Sequence, residues 1–353
     1  MKSIHHPEAS GDREIARGLF EYLQEQGHQV EILSEFQTPF FFQTGRGWWS
    51  FLRSFPKAFW KALTFQPDIF FTYHLYYKAP DPLGLILSTF FRKRYYVFEG
   101  MFSEKPRSLT GFKVGYYLTK WSLQRANCVY TDKTDDIEGL LKVLPASRVC
   151  YIPPSLNLSV FTDPGKKTST PQSIQISCIS MLRPGRKVDG VKFLIEAIAE
   201  LQQEMASQQL NFNLKIAGDG PSFEEVKHYA ESLLKSRVQL CGALGKEKIL
   251  ELLRSSDLFA FPGIDESFGL VYLEAQSQRL PVIAFKNGGV PDAVEDQVSG
   301  VLTPLMEKSA YKKALLELIQ NNHLREKMGQ QGRLRIEKKF NRQINYKKMD
   351  LEK

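Results

Sequence analysis

From residue 173 onward, apolar and polar positions alternate in blocks rather than singly. Short apolar runs occupy 174–179, 212–217, 238–241, 258–262, 281–285 and 300–303. Between them, 191–205, 223–235, 246–255 and 268–279 show helical spacing, and 291–295 continues the beat. Strand-length apolar runs separated by helices of about ten residues predict βαβ units around a parallel sheet. Such strands are covered on both faces, which is why they read as unbroken apolar runs. The first half repeats the pattern less cleanly. An amphipathic helix is predicted over 13–26, with Gly27 as its terminating residue. Strands are predicted at 30–33, 69–73, 95–98, 128–131 and 149–152. The stretch 162–173 (TDPGKKTSTPQS) has the composition of an exposed linker. The expected fold class is therefore α/β, two doubly wound parallel-sheet domains facing across a cleft. Ligands are expected at the carboxyl ends of the strands.

Length and composition agree. A chain of 353 residues is long enough for two cores, and 42% hydrophobic and 24% charged residues are near the globular average. No run of 18 apolar residues occurs. Residues 1–10 carry His5, His6 and Glu8 instead of an apolar run, which argues against a secretory signal. The four cysteines (Cys128, Cys150, Cys178, Cys241) are scattered without a CxxC pair, as expected of buried thiols in the cytoplasm. The net charge of +8 predicts anionic partners: nucleic acid, anionic lipid or phosphorylated metabolites. No base-stacking motif is present, so nucleic acid is not expected.

The densest chemistry lies in 263–275, GIDESFGLVYLEA. A strand ends in a loop bearing Asp265 and Glu266, and a helix begins near Phe268. The first helical turn offers backbone N–H groups and the positive end of the helix dipole, an anion site that Gly269 leaves unobstructed. Glu274 follows Glu266 by eight positions, so one carboxylate sits on the loop and one on the helix. Spacing alone leaves open that Glu266 is an ordinary helix-start acid and Glu274 a solvated one.

The order of motifs narrows this. Lys215-Ile-Ala-Gly-Asp-Gly-Pro221, Val238–Gly242, Asp257–Pro262, Glu266-Ser-Phe-Gly-Leu-Val-Tyr-Leu-Glu274, Leu280-Pro-Val-Ile-Ala284 and Gly288-Gly-Val-Pro291 together resemble glycosyltransferase family 4. The resemblance covers 173–340 and implies the GT-B fold, with two Rossmann-like domains. It implies an N-terminal acceptor-binding domain (1–163), a linker (164–172), a nucleotide-sugar domain (173–335) and a last helix (336–353) returning to the first domain. By the resemblance Glu274 would hold the nucleotide ribose and Glu266 would contact donor-sugar hydroxyls. Phe268, Gly269 and Leu270 would bind donor phosphate through backbone amides. Arg183 and Lys187, in SMLRPGRKVDG, would neutralise the departing diphosphate, with Arg186 able to replace either. A basic loop exposed to solvent is the other reading of that cluster.

In the first half, Ser10-Gly11-Asp12 stands where the family places a glycine loop against the donor. Many relatives carry a catalytic or sugar-orienting His after the strand at 95–98. This chain has Phe98-Glu-Gly-Met101, leaving Glu99 and His74 as alternative substitutes. The expected activity is retaining, metal-independent hexosyl transfer without a cofactor. The donor is a nucleotide diphosphate sugar (UDP favoured, GDP open) and the acceptor a glycan or lipid-linked molecule, as in cell-envelope or polysaccharide biosynthesis. A nicotinamide oxidoreductase ranks low because no GxGxxG follows an opening strand. A non-catalytic nucleotide-sugar-binding or membrane-associated module stays open. Residues 41–65 hold nine aromatics, Arg46, Arg53, Lys57 and Lys61, and no acid. Trp48, Phe51, Phe55 and Phe59 at helical spacing fit either a core stripe or peripheral contact with the inner face of an anionic membrane.

Overall fold

The computed structural model describes residues 11–165, 173–204, 211–349 and 351. The chain divides into two units, Met1–Ser155 with Gln343–Lys353, and Leu156–Arg342. Residues 166–172 of the predicted linker, and 1–10, lie outside the described residues.

The second unit contains β5 (Ile174–Ile179), α6 (Arg186–Glu204), β6 (Phe212–Ala217), α7 (Phe223–Leu234) and β7 (Val238–Gly242). It continues with α8 (Lys246–Ser255), β8 (Leu258–Ala260), α9 (Leu270–Ser277), β9 (Val282–Phe285), α10 (Val290–Ala293) and β10 (Gly300–Thr303). Two helices close it, α11 (Lys308–Gln320) and α12 (Asn322–Lys339). The six strands are parallel in the order β10-β9-β8-β5-β6-β7. From β5 the chain builds outward to β6 and β7, then returns to place β8, β9 and β10 on the other side. The crevice between β5 and β8 is thus a topological switch point, where open α/β sheets bind ligands. Phe193, Phe285 and Tyr311 meet edge-on at 4.8–5.7 Å and lock α6, β9 and α11 together. Truncating such a buried phenylalanine to alanine costs about 3–5 kcal/mol.

Helix α6 starts five residues earlier than the sequence pattern predicts. Gly185 turns the chain at φ +94°, and buried Val188 begins the apolar stripe that Val191, Leu194, Ile195 and Ile198 continue. Arg186 and Lys187 therefore lie on the first turn of a helix and not in a loop.

The first unit contains α1 (Gly11–Glu25), α2 (Gly45–Phe65), β1 (Ile69–Leu75), α3 (Pro82–Phe90) and β2 (Arg94–Gly100). It continues with α4 (Lys113–Arg125), β3 (Cys128–Thr131), α5 (Thr134–Leu141) and β4 (Val149–Tyr151). The strands are parallel in chain order, β1-β2-β3-β4. Right-handed crossovers that advance in one direction lay their helices on one face. On that face Tyr95 and Val97 of β2 pack with the inner sides of α2, α3 and α4. On the other, Phe98 meets Tyr346 at 5.9 Å, and Tyr346 meets Tyr22 of α1 at 5.3 Å. Tyr346 ends the short α13 (Arg342–Tyr346). Beyond it the backbone carbonyl of Leu351 accepts from Arg94 at 2.7 Å.

The strand predicted at 30–33 does not form. The segment has no regular structure and joins no ladder, and β1 is the sheet edge. The Lys61 ammonium pairs with Glu31 at 2.7 Å and donates to the Ile32 carbonyl at 2.8 Å, tying the segment to α2. A cavity of about 800 Å³ opens along this segment, between Leu19, Ile32, Phe36, Phe70 and Leu83. No helix among the described residues is long and apolar enough to cross a membrane.

Candidate functional site

In the second unit two of the predicted residues, Lys187 and Glu266, meet at the switch point. Arg183 and Lys187 follow β5, and Glu266 follows β8, the two strands that pair across it. Lys187 Nζ donates to Glu266 Oε2 and stands 5.5 Å from the centre of the Phe261 ring. Arg186, more exposed, pairs with Asp265 instead. Lys187 is thus the partner of Glu266, and Arg186 of its neighbour. Arg183 lies at the exposed end of the β5 loop. That loop is laced to the GDGP turn, with Leu182 N–H donating to the Asp219 carbonyl and Ser222 N–H to the Leu182 carbonyl, both at 3.0 Å.

The loop carrying Glu266 is held by hydrogen bonds from Asn287 and Gly289. Asn287 accepts the Asp265 N–H at 2.8 Å and donates to the Gly263 carbonyl at 2.8 Å. Gly289 N–H donates to the Glu266 carbonyl at 3.0 Å. A Cβ on Gly289 would stand 1.9 Å from the Ser267 carbonyl oxygen, so only glycine permits this approach. The GG-x-P turn is therefore the seat of the Glu266 loop. Asn287 went unremarked in the sequence reading, although it immediately precedes that turn.

Gly269 enters α9 at φ +83°, a conformation glycine adopts without steric cost, and Leu270 begins the helix. The start of α9 lies at the positive end of the helix dipole, and its Tyr272 N–H is bonded to the Gly269 carbonyl at 3.0 Å. Phe268 is buried and meets Phe340 edge-on at 5.9 Å, which leaves only its backbone for a ligand. Helix α9 is shorter than the predicted 268–279 and is anchored at its far end. Arg333 donates to the Ser277 carbonyl at 2.9 Å, and Gln276 to the Ala293 carbonyl at 2.9 Å. A cation on the last carbonyls of a helix complements its dipole. Glu274 is half-buried on this fixed helix.

The first unit holds a second cluster, at the carboxyl ends of β1, β2 and β3. The ladder pairs Tyr73 with Phe98 and Leu75 with Gly100. The two residues between, His74 (φ +66°) and Glu99 (φ +54°), both take left-handed backbone, a conformation costing on the order of 1–3 kcal/mol for a non-glycine residue. His74 Nδ1 lies 2.8 Å from Glu99 Oε2, and Tyr73 Oη bonds Glu99 Oε1. His74 and Glu99, taken from the sequence as alternatives, are partners. Tyr73 Oη is also 2.7 Å from the carbonyl oxygen of Asp12, which brings the start of α1, and Gly11 beside it, to the same place. Burial, then the Glu99 charge, raises the Tyr73 phenol well above its usual value. Asp132, buried after β3, is pushed up to about 7 by burial and by Glu99, against the opposing pull of Lys133. The sequence reading missed Tyr73 and Asp132. The signal available was their place at strand carboxyl ends.

Residues 178–335 match the family described as Glycosyl transferases group 1. D-inositol 3-phosphate glycosyltransferase of Corynebacterium jeikeium is 32% identical over 207 residues, 56% of this chain and 49% of that protein. N-acetyl-alpha-D-glucosaminyl L-malate synthase of Bacillus anthracis is 29% identical over 156 residues, covering 44% and 39%. The chain thus spans about half the length or less of these relatives. Among solved structures, Anabaena Alr3699/HepE in complex with UDP and glucose superposes with a TM-score of 0.69 at 19% identity, over 99% of this chain and 96% of that one. A glycosyltransferase from Rickettsia africae gives 0.71 at 16% identity, over 97% and 94%. These two superpositions establish a shared GT-B fold.

Proposed function

We propose that this chain, whose residues 178–335 belong to the glycosyl transferases group 1 family, moves a hexose from a nucleotide diphosphate sugar to a glycan or lipid-linked acceptor with retention of configuration. The observation that carries this is the meeting of Lys187 and Glu266 at the β5–β8 switch point, beside the first turn of α9. An anionic diphosphate suits that place: helix amides, Arg183 and Lys187 supply positive potential, and Glu274 offers a carboxylate to a ribose. Glu266 offers carboxylate oxygens to sugar hydroxyls.

As the bond from the anomeric carbon to the diphosphate oxygen breaks, its electron pair leaves with the diphosphate. The acceptor oxygen attacks from the same face, and its proton passes to the departing phosphate oxygen. Charge on that group grows toward the transition state, where fixed cations are worth most. In this reading no metal is needed, because Arg183, Lys187 and the α9 amides meet the charge. A UDP-sugar is the favoured donor, since the Anabaena relative was captured with UDP and glucose, and a GDP-sugar is the alternative. In the first unit, Glu99, His74, Tyr73 and Asp132 present both acceptors and donors to a polyhydroxylated acceptor.

The test is a donor panel of UDP-, GDP- and ADP-sugars, scored by calorimetry and by turnover in chelator, with product configuration read by NMR. Tight binding of one donor and chelator-resistant, retained product is expected. Binding of none of them would overturn the reading. Binding without turnover would leave a nucleotide-sugar-binding module.

A further inference from the structure

We infer that the first unit docks on an anionic lipid bilayer through the outer faces of α2, α3 and α4, which form one apolar and basic surface. This concerns the unit's surface and stands whether or not the transfer reading does.

The stripe first suggested by sequence, Trp48, Phe51, Phe55 and Phe59, is not that surface. Phe51 is buried, Phe55 and Phe59 pack against the same core, and Trp48, 40% exposed, lies edge-on to Phe41 at 5.3 Å. With that stripe turned inward, α2 carries a second one on its opposite side. Trp49, Leu52, Trp60 and Leu63, spaced by three, eight and three, are exposed, the two tryptophans by 68% and 66%. Ile86 and Phe90 do the same on α3, one turn apart. Val114, Tyr117 and Trp121 do so on α4.

The three helices are neighbours on one face of the sheet. Phe59 of α2 meets Phe90 at 5.2 Å, and Arg125 of α4 donates to the Ser88 carbonyl of α3 at 2.8 Å. Their outer stripes therefore lie side by side. A helix apolar on both sides is expected to be covered on both, and a contiguous apolar patch of this kind marks an interaction surface.

Charge selects the occupant. The 43 residues of α2, α3 and α4 contain none of the chain's 39 acidic side chains. They carry Arg46, Arg53, Lys57, Lys113 and Lys120, with three of these on α2 beside the tryptophans, and Arg125, which is turned to the Ser88 and Lys93 carbonyls. Lys61 does not count, because Glu31 and the Ile32 carbonyl hold it. Tryptophan, tyrosine and leucine among lysine and arginine without acids fit the headgroup boundary of an anionic bilayer, where elements lie in the interface without spanning it. A basic side chain near such a surface contributes about fivefold in affinity.

The experiment is flotation with vesicles of 30% phosphatidylglycerol in phosphatidylcholine, against phosphatidylcholine alone, with tryptophan emission followed in parallel. The wild-type chain should float with the anionic vesicles, shift its emission to the blue and come off as salt rises. The variant W49S/W60S/W121S should lose at least tenfold, and R53Q/K57Q/K120Q should lose the preference for anionic lipid. Both replace exposed side chains, and unchanged melting would confirm their folds. No flotation of the wild type, or equal flotation of all three proteins, would overturn the inference. So would a concentration-dependent dimer in sedimentation velocity that the tryptophan variant abolishes, since a second copy would then own the surface. Donor binding, measured separately, should be the same for all three.

Discussion

Asp132→Asn should stabilise the first unit at pH 8 and leave it unchanged at pH 4. The Asp132 carboxyl is pushed up from 3.8 to about 7 by burial and by the Glu99 charge. A raised acid holds its proton more tightly when folded. Its stabilising contribution is complete below pH ~4, falls as pH rises and is gone above about pH 7. A difference of about three units at 1.36 kcal/mol each amounts to about 4 kcal/mol at the alkaline end. Asparagine keeps the shape and carries no charge, so the variant escapes that loss. The four tryptophans, Trp48, Trp49, Trp60 and Trp121, all fall in the first unit, so their fluorescence reports its unfolding alone. Urea curves at pH 4, 6 and 8 should superpose with wild type at the acid end and separate progressively. The separation at pH 8 corresponds to a melting shift on the order of 10 °C. Asp135→Asn, exposed next to the helix start, should produce no such trend. A variant weaker than wild type at pH 8, or a gap identical at all three pH values, would show that Asp132 is not a buried acid destabilised by Glu99.

Three further outcomes concern the second unit. Gly289→Ala places a Cβ against the Ser267 carbonyl, should cost about 1–3 kcal/mol by overpacking, and should weaken donor binding by calorimetry through the Glu266 loop. Glu274→Ala should weaken donor binding by about 10- to 100-fold, the worth of a hydrogen bond to a charged group; unaltered affinity would remove its ribose role. Lys187→Ala and Arg183→Ala should each lower kcat by about 10²–10³ with a smaller change in donor affinity, and a rise in KM alone would contradict a transition-state role.

The alternation of apolar runs and helical stretches was enough to place most of the parallel strands, several to the residue, because buried parallel strands must be apolar on both faces. The glycine and carboxylate motifs of 263–291 were equally legible. Their spacing follows from local geometry: a glycine that enters α9 at positive φ, and a turn without side chains against the Glu266 loop. What sequence could not decide were matters of partnership across the chain. The segment 30–33 has strand spacing, yet it joins no ladder, and Lys61, some thirty residues on, takes the Ile32 carbonyl. Residues 41–65 are aromatic on both sides of a helix, and only the position of the sheet shows which stripe is core and which faces out. Glu99 and His74 are far apart in sequence and became one hydrogen-bonded pair because parallel strands bring their carboxyl ends to one edge. Asp132 joins them for the same reason. Its raised proton affinity comes from burial and from a charge on another strand, neither of which a local window of sequence contains.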